Sequence, residues 1–412
     1  MNLQLTAPEK ADATIALPTS KSITNRALMI AALCGGAPQV LRPALCDDTD
    51  VMVQALSASD GAFIDVGAAG TAMRFLTAYF SVREGMTVTL DGTVRMRQRP
   101  IGPLVDALRS LGGCIEYLGE EGYPPLRITG SALRGGDVTM PGGVSSQFAS
   151  AIMMILPVVG GGTLQLTGDI VSAPYIHLTS AVMRDMGVQV DVSGNRITVG
   201  VGYAGNDCVV EGDWSAAAPW YALAALLPQS RLMLEGLVAD SVQGDARLVD
   251  LGRQLGIASR FDAQGVSLDT SHFIGCCCSA FADMSATPDL VMSWAVLLCL
   301  LERSFRMTGV RTLRQKESDR VEALREGLQR LGYVLKIESE DAISWYGERT
   351  PVPEQPPVID THGDHRLAMA FAPAAVRFPG LVIRDAGVVS KSYPAFWRHL
   401  EKAGFNLTEL AQ

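Results

Sequence analysis

The 412-residue chain lacks the features that most often assign a function on sight. Its longest apolar runs, residues 149–159 and 294–301, fall short of the ~20 residues that cross a bilayer, so they are expected to be buried helices and no membrane is expected as a partner. Glu9, Lys10 and Asp12 interrupt the opening stretch, so no secretory segment is expected there. A Walker A loop is absent. Of eight cysteines, Cys276, Cys277 and Cys278 stand in a row without CxxC spacing, and of five histidines only His362 and His365 are close together. That pattern argues against zinc and for free thiols in a reducing compartment, here the cytoplasm, with the cysteine run expected in a buried strand. The balance of 34 basic to 43 acidic residues, a net charge of -9, excludes a general nucleic-acid or acidic-surface binder. Any anion site must be local.

A weak internal repeat is present. Five helix-sized segments end in a glycine, at Gly112, Gly187, Gly256, Gly332 and Gly404, roughly 70–75 residues apart, each followed by a strand-like run. A fainter sixth copy lies in VMVQALSASDGAFIDV, residues 51–66. Each copy is an α/β module. At 48% hydrophobic residues the chain is long enough for two cores, and six modules divide into two domains of three, with a boundary near Gly212 and Asp213.

Polar clusters sit at the starts of these helices. In LPTSKSITNRAL, residues 17–28, Lys21, Ser22 and Arg26 gather at a helix start, where free N–H groups and the positive helix end suit a phosphate; an ordinary capped helix with solvated charges is the other reading. GAAGT places Gly70 before a helix, where backbone can approach a ligand closely. RMRQRPIG adds Arg95, Arg97 and Arg99, SSQ adds Ser145, Ser146 and Gln147, and SAPY adds Ser172 and Tyr175. Asp289 opens an apolar helix after Pro288, as a dipole partner or a general base. In RQKESDR, Lys316 and Arg320 are read as an i, i+4 like-charge pair that an anion or Glu317 would relieve. His365 and Arg366 start a further helix and Lys391 lies in the last loop. So many anion-binding groups at helix starts of an acidic protein point to a multiply charged ligand bound between two domains.

LPTSKSITNRAL, GTAMR, RQRPIG, SSQFASA, SAPYI, LRQKESDR, DHRLAMA and SKSYPAFW resemble, in the same order, the motifs of the 5-enolpyruvylshikimate-3-phosphate synthases, an enolpyruvyl transferase family. The resemblance implies an α/β (α+β) fold: a two-domain inside-out α/β barrel, each domain three βαβαββ units. Residues 1–19 plus 214–412 would form one domain and 20–213 the other, with the site in the cleft between them. It also implies transfer of the enolpyruvyl group of phosphoenolpyruvate to the 5-hydroxyl of shikimate 3-phosphate through a tetrahedral ketal phosphate, with no metal and no organic cofactor. Small-molecule substrates and a monomer are expected. By motif, Lys21, Ser22, Arg26, Ser145, Ser146, Gln147, Ser172, Asp289 and Lys316 would bind shikimate 3-phosphate, with Tyr175 more peripheral. Lys21, Gly70, Arg99, Gln147, Arg320, Arg366 and Lys391 would bind phosphoenolpyruvate. Asp289 would take the hydroxyl proton, and Glu317 or Lys21 would protonate the methylene carbon.

Two positions depart from the family pattern: Ala68 stands where GNAGT has asparagine, and Thr312 where asparagine often precedes LRxKE. The UDP-N-acetylglucosamine enolpyruvyl transferases share the fold but carry a cysteine before their Arg-Pro, and none lies between Gly92 and Arg99 here. A non-catalytic anion-binding protein is a third reading, against which Asp289, Glu317, Lys21 and Lys391 stand together.

Overall fold

A glycine just past the last helical turn takes up the left-handed conformation that side chains resist, and five such glycines set the repeat. Gly112, Gly187, Gly256, Gly332 and Gly404 have φ of 101°, 95°, 84°, 82° and 97°. In each case the following residue's N–H donates five residues back, to Leu108, Met183, Gly252, Leu328 and Leu400, so every helix closes in the same way. The computed structural model describes residues 1–36, 38–271, 280–352 and 355–410. The Cys276 to Cys278 run lies outside the described residues.

The chain divides into two compact units, Met1–Thr19 with Glu211–Gln412, and Ser20–Val210. The return falls at Glu211, ahead of residue 214, because residues 211–213 are already tied to the first unit. The Glu211 carboxylate accepts from Gln243 at 2.6 Å, the Gly212 N–H donates to Gly236, and the Asp213 N–H donates to Pro18.

Within the first unit, three modules follow one plan: strand, helix, parallel strand, helix, then a hairpin whose last strand returns antiparallel beside the second. The first is Asp12–Ala16, Trp214–Leu226, Arg231–Glu235, Leu248–Gln254, Ala258–Phe261 and Gly265–Asp269. The second is Ala280–Asp283, Val291–Leu300, Phe305–Thr308, Arg320–Arg330, Lys336–Ser339 and Ala342–Trp345. The third runs Val358–Ile359, His365–Phe371, Leu381–Ile383, Phe396–Lys402 and Asn406–Leu410, and takes its last strand, Asn2–Thr6, from the other end of the chain. Apolar rows cross each sheet, such as Ile15, Leu234 and Val266 in the first and Ile359, Ile383 and Leu3 in the third, and turn one face inward. Against those faces pack Trp214–Leu226, Val291–Leu300 and His365–Phe371, which are buried along nearly their whole length, so helices lie inside and sheets outside.

Two modules of the second unit repeat this plan: Phe63–Asp65 through Leu126–Thr129, and Gly136–Pro141 through Arg196–Val199. The third departs from expectation. It has helices Lys21–Leu33 and Asp47–Leu56 and a two-stranded parallel sheet, Val40–Leu41 with Cys208–Val209, but among the described residues no hairpin follows. Residues 63–65 of the faint sixth copy pair with Thr87–Asp91 and open the next module instead of closing their own. The helices Lys21–Leu33, Gly70–Ser81 and Ser146–Ile155 form this unit's center, the last accounting for most of the apolar run at 149–159. Among the described residues no helix is long and apolar enough to cross a membrane.

Substitution at the closing glycines should separate conformational strain from crowding. At Gly187 an added methyl would enter Ala204, whereas at Gly112 it would meet open space. Gly112→Ala should cost about 1 kcal/mol from strain, and Gly187→Ala roughly 1–3 kcal/mol more from overpacking. Urea unfolding midpoints measure this; equal midpoints would show that the left-handed backbone, not packing, sets both costs.

Candidate functional site

In the second unit, the Ser20 hydroxyl accepts from the Ile23 N–H at 3.4 Å and starts the helix Lys21–Leu33. Lys21, at its first position, extends its Nζ to the Asp48 carboxylate, 2.6 Å away in the first turn of the neighbouring helix. The lysine expected to await an anion therefore already faces a buried carboxylate. One turn on, Arg26 is 2% exposed. Its guanidinium donates to the Thr179 hydroxyl at 2.7 Å, the Ser22 carbonyl at 2.8 Å and the Ser150 hydroxyl at 3.1 Å, and lies 5.2 Å from the center of the Phe75 ring. Ser22 thus contributes its backbone oxygen to this contact. Burial pushes Arg26 down to about 10, because the described residues surround it with neutral oxygens and rings and no carboxylate.

Arg99 follows the short turn Met96–Gln98 and rests on Gly70, the first residue of the helix Gly70–Ser81. A Cβ at residue 70 would lie 2.6 Å from the Arg99 guanidinium carbon, so only glycine leaves room for this arrangement. Arg74 secures the same loop by donating to the Pro100 carbonyl at 2.8 Å, and Arg97 pairs with Asp91. Ser145 caps the helix Ser146–Ile155 by accepting from the Gln147 N–H at 3.3 Å, while the Gln147 side chain donates to the Thr71 hydroxyl at 3.1 Å. Ser172 begins the helix Ala173–Asp185 with φ of 55°, an uncommon conformation for serine. Two backbone hydrogen bonds, Gly142 N–H to Thr167 and Val171 N–H to Gly142, bind together the loops that carry Ser145, Ser146 and Ser172. Tyr175 lies near Arg26, with 5.9 Å between the guanidinium and the ring center.

In the first unit the site is organised around Arg320, which is 1% exposed. It donates to Asp289 at 2.8 Å, Glu317 at 2.9 Å and Asp364 at 2.7 Å and 3.3 Å. Burial alone would lower its pKa, but the three carboxylates outweigh that and hold its proton more tightly than usual. Arg366 donates to the other Asp289 oxygen at 3.0 Å, and Lys391 lies 3.5 Å from Glu317. Asp364 caps the helix His365–Phe371 by accepting from the Arg366 N–H at 3.0 Å. Three cations and three carboxylates therefore interlock.

Lys316 is placed differently from the sequence reading. Asp319 caps the helix Arg320–Arg330, so Lys316 stands outside it with extended backbone and is not an i, i+4 helical neighbour of Arg320. The Glu317 contact to Arg320 is present. Among the described residues, sequence reasoning missed five buried carboxylates, Asp48, Asp91, Asp213, Asp245 and Asp364. Asp48, Asp213 and Asp364 lie at helix starts, and this position was the signal available for them. Asp245 accepts from the Ser215 hydroxyl, and burial pushes its carboxyl up to about 7; the charge of Asp289 acts the same way and that of Arg366 opposes it.

Removing Asp364 should test the interlocked network. Asp364→Ala strips Arg320 of two hydrogen bonds and leaves excess buried positive charge, so it should lower stability by roughly 3–5 kcal/mol. Asp364→Asn, which retains acceptor shape, should cost less. Urea denaturation measures both, and an unchanged midpoint for Asp364→Ala would refute the role given to this pair.

The family model for EPSP synthase (3-phosphoshikimate 1-carboxyvinyltransferase) matches residues 5–59 and 54–400. A 3-phosphoshikimate 1-carboxyvinyltransferase of Bacteroides fragilis strain YCH46 is 47% identical over 413 aligned residues, covering 99% of each chain. One from Methanoculleus marisnigri is 36% identical over 95% of this chain and 97% of its own. An EPSP synthase structure from Acinetobacter baumannii superposes with a TM-score of 0.73 over 99% of this chain and all of that one, at 22% identity, and so supports the fold. Family match and full-length identity agree: the chain belongs to the EPSP synthase family.

Proposed function

We infer that the protein transfers the enolpyruvyl group of phosphoenolpyruvate to the 5-hydroxyl of shikimate 3-phosphate, releasing phosphate, a step of the shikimate pathway toward chorismate and aromatic amino acids. Beyond family membership, the observation that carries this reading is the suspension of Asp289 between Arg320 and Arg366 beside the Glu317–Lys391 pair. It supports the reading because the reaction requires a carboxylate to accept a proton and guanidiniums to hold a carboxylate, and both groups are adjacent here.

Protonation of the methylene carbon makes C2 electrophilic. The 5-hydroxyl oxygen bonds to C2 while its proton passes to Asp289, giving the tetrahedral ketal phosphate. Loss of a proton from C3 restores the C2–C3 double bond as the C2–O bond to phosphate breaks. Glu317 is the candidate for the C3 proton and Lys21 its competitor. Arg320 and Arg366, both already bonded to Asp289, suit the phosphoenolpyruvate carboxylate. Lys21, Arg99, Lys391 and the Gly70 backbone suit its phosphate, with Gln147 near the enolpyruvyl carbons. Ser145, Ser146 and Ser172 suit the shikimate phosphate, Ser22 and Arg26 bind the same substrate, and Lys316 reaches its ring hydroxyls. The reaction thus draws on both sets of groups. One chain carries both, which supports a monomer, and the five free thiols among the described cysteines support a cytoplasmic setting.

Phosphate release from phosphoenolpyruvate should require shikimate 3-phosphate and should not occur with UDP-N-acetylglucosamine. Release only with the sugar nucleotide, or with neither acceptor, would overturn this reading. Asp289→Asn should lower kcat by about 10²–10⁴-fold with substrate KM little changed; unchanged turnover would remove it as the base. Gly70→Ala, by displacing the Arg99 guanidinium, should raise KM for phosphoenolpyruvate on the order of tenfold, a loss of about 1.4 kcal/mol, with a smaller effect on kcat. An unaltered KM would separate Arg99 from that substrate.

A further inference from the structure

The turn Ala386–Lys391 ends on Lys391, whose Nζ lies 3.5 Å from Glu317, and it packs against the helix His365–Phe371. The next helix, Phe396–Lys402, ties this turn down at both ends. At its beginning the Trp397 indole donates to the Ala386 carbonyl at 2.7 Å. Just past its end the Tyr393 hydroxyl lies 2.8 Å from Nδ1 of His399, and the Tyr393 N–H donates back into the turn, to Val389 at 2.7 Å. Tyr393 is 1% exposed, with its ring center 5.5 Å from those of Phe396 and of His399, which is half-buried.

A buried hydroxyl needs an acceptor for its proton, and here Nδ1 is that acceptor. Burial holds the phenol proton more tightly than usual, so Tyr393 does not give it up. His399 meets the need only as a neutral ring with its hydrogen on Nε2. An imidazolium donates from both nitrogens, and the Tyr393 proton is then left without an acceptor among the described residues.

We propose that His399 is a positioning residue for Lys391: through the Tyr393 hydroxyl its neutral ring holds the segment that carries the lysine, and protonation of the ring loosens it. The inference rests on the proposed reaction, in which Lys391 binds the phosphate of phosphoenolpyruvate while Tyr393 and His399 touch no substrate. Burial first, then the charges of Arg398 and Lys402 on its own helix, keep His399 below the usual histidine range and favour the neutral ring near neutrality. Glu401 lies on the same helix. Of the neighbouring elements, the strand Asn406–Leu410 carries Glu409, the turn carries Lys391, and Trp214–Leu226, whose Trp220 meets Phe396, carries no charged side chain.

The test compares wild type with His399→Asn, His399→Leu and Tyr393→Phe between about pH 7.5 and pH 5.5. Asparagine keeps an acceptor near the place of Nδ1 and does not titrate. Wild-type KM for phosphoenolpyruvate, divided by that of His399→Asn, should rise roughly three- to tenfold as pH falls, the factor one hydrogen bond is worth. Taking the ratio cancels the titration of the substrate itself. The same ratio for shikimate 3-phosphate should stay level, because Lys391 is assigned to the other substrate. His399→Leu should show the raised KM already at the upper pH, and Tyr393→Phe, with no hydroxyl proton to place, should follow His399→Asn. A ratio constant with pH, or an equal change for shikimate 3-phosphate, would overturn the proposal.

Thermal melting gives a second readout, independent of turnover. Held below its unfolded pKa of about 6.5, His399 stabilises the fold above that pH, and the contribution is lost as pH falls through the folded value. The melting temperature of wild type relative to His399→Asn should therefore drop across the same pH range, and drop less in a Tyr393→Phe background. A difference that does not vary with pH, or is indifferent to Tyr393, would overturn the coupling. Absence of phosphate release by the wild type would sink the proposed reaction alone, since the melting comparison still decides the Tyr393–His399 pair.

Discussion

Burying a guanidinium in a protein interior is costly unless nearby charges offset its lost hydration, and at Arg320 three carboxylates do so. They come from separate stretches: the turn before Val291–Leu300, the loop ahead of Arg320–Arg330 and the cap of His365–Phe371. One side chain thus ties two modules together at the starts of their core helices and fixes the orientation of Asp289. Asp289 can then hold Arg366 with its second oxygen, and Glu317 can face Lys391. The carboxylate proposed as the base gains rigidity here, since its rotation would break its bonds to both arginines.

The repeat explains why polar groups collect where they do. In each module the first helix enters the core, so its body must be apolar, and its first turn is where unpaired N–H groups require capping. Ser20, Ser145, Asp213 and Asp364 satisfy that need, and Lys21, Gly70, Gln147, Asp289 and Arg366 lie beside such starts. Side-chain contacts between starts, Gln147 to Thr71 in one unit and Arg366 to Asp289 in the other, bring neighbouring helix beginnings together. The fold needs polar residues at these positions for its own closure, and in each unit the groups proposed to bind anions lie beside them.

What was legible in the sequence was local. A closing glycine encodes a left-handed backbone at one residue, and all five were visible; the missing hairpin of the sixth module was not, because strand pairing depends on distant segments. Most candidate cations lie at helix starts or in the loops before them, as read, but apart from Glu317 their carboxylate partners were missed. Asp48, Asp245 and Asp364 pair across the fold, and their spacing alone names no partner. Lys316 was misplaced because helical spacing was carried through a cap. The pattern Asp319-x-x-Glu322, a capping signature, marks the true start.

The two buried arginines, Arg26 and Arg320, carry opposite implications for ligand binding. Arg320 is surrounded by negative charge, so an arriving anion competes with three carboxylates that already neutralise it, and the net gain is small. Arg26 is surrounded by hydroxyls, a carbonyl and aromatic rings, which satisfy its donors without neutralising it, and its lowered proton affinity records the deficit. An anion near Arg26 therefore meets a cation whose desolvation cost the fold has already borne, and its gain comes from that unneutralised charge, since the guanidinium nitrogens are already engaged. The neutral surroundings of Arg26 leave its charge open to the proposed anionic substrate, while the acidic surroundings of Arg320 hold the orientation of Asp289 and Glu317.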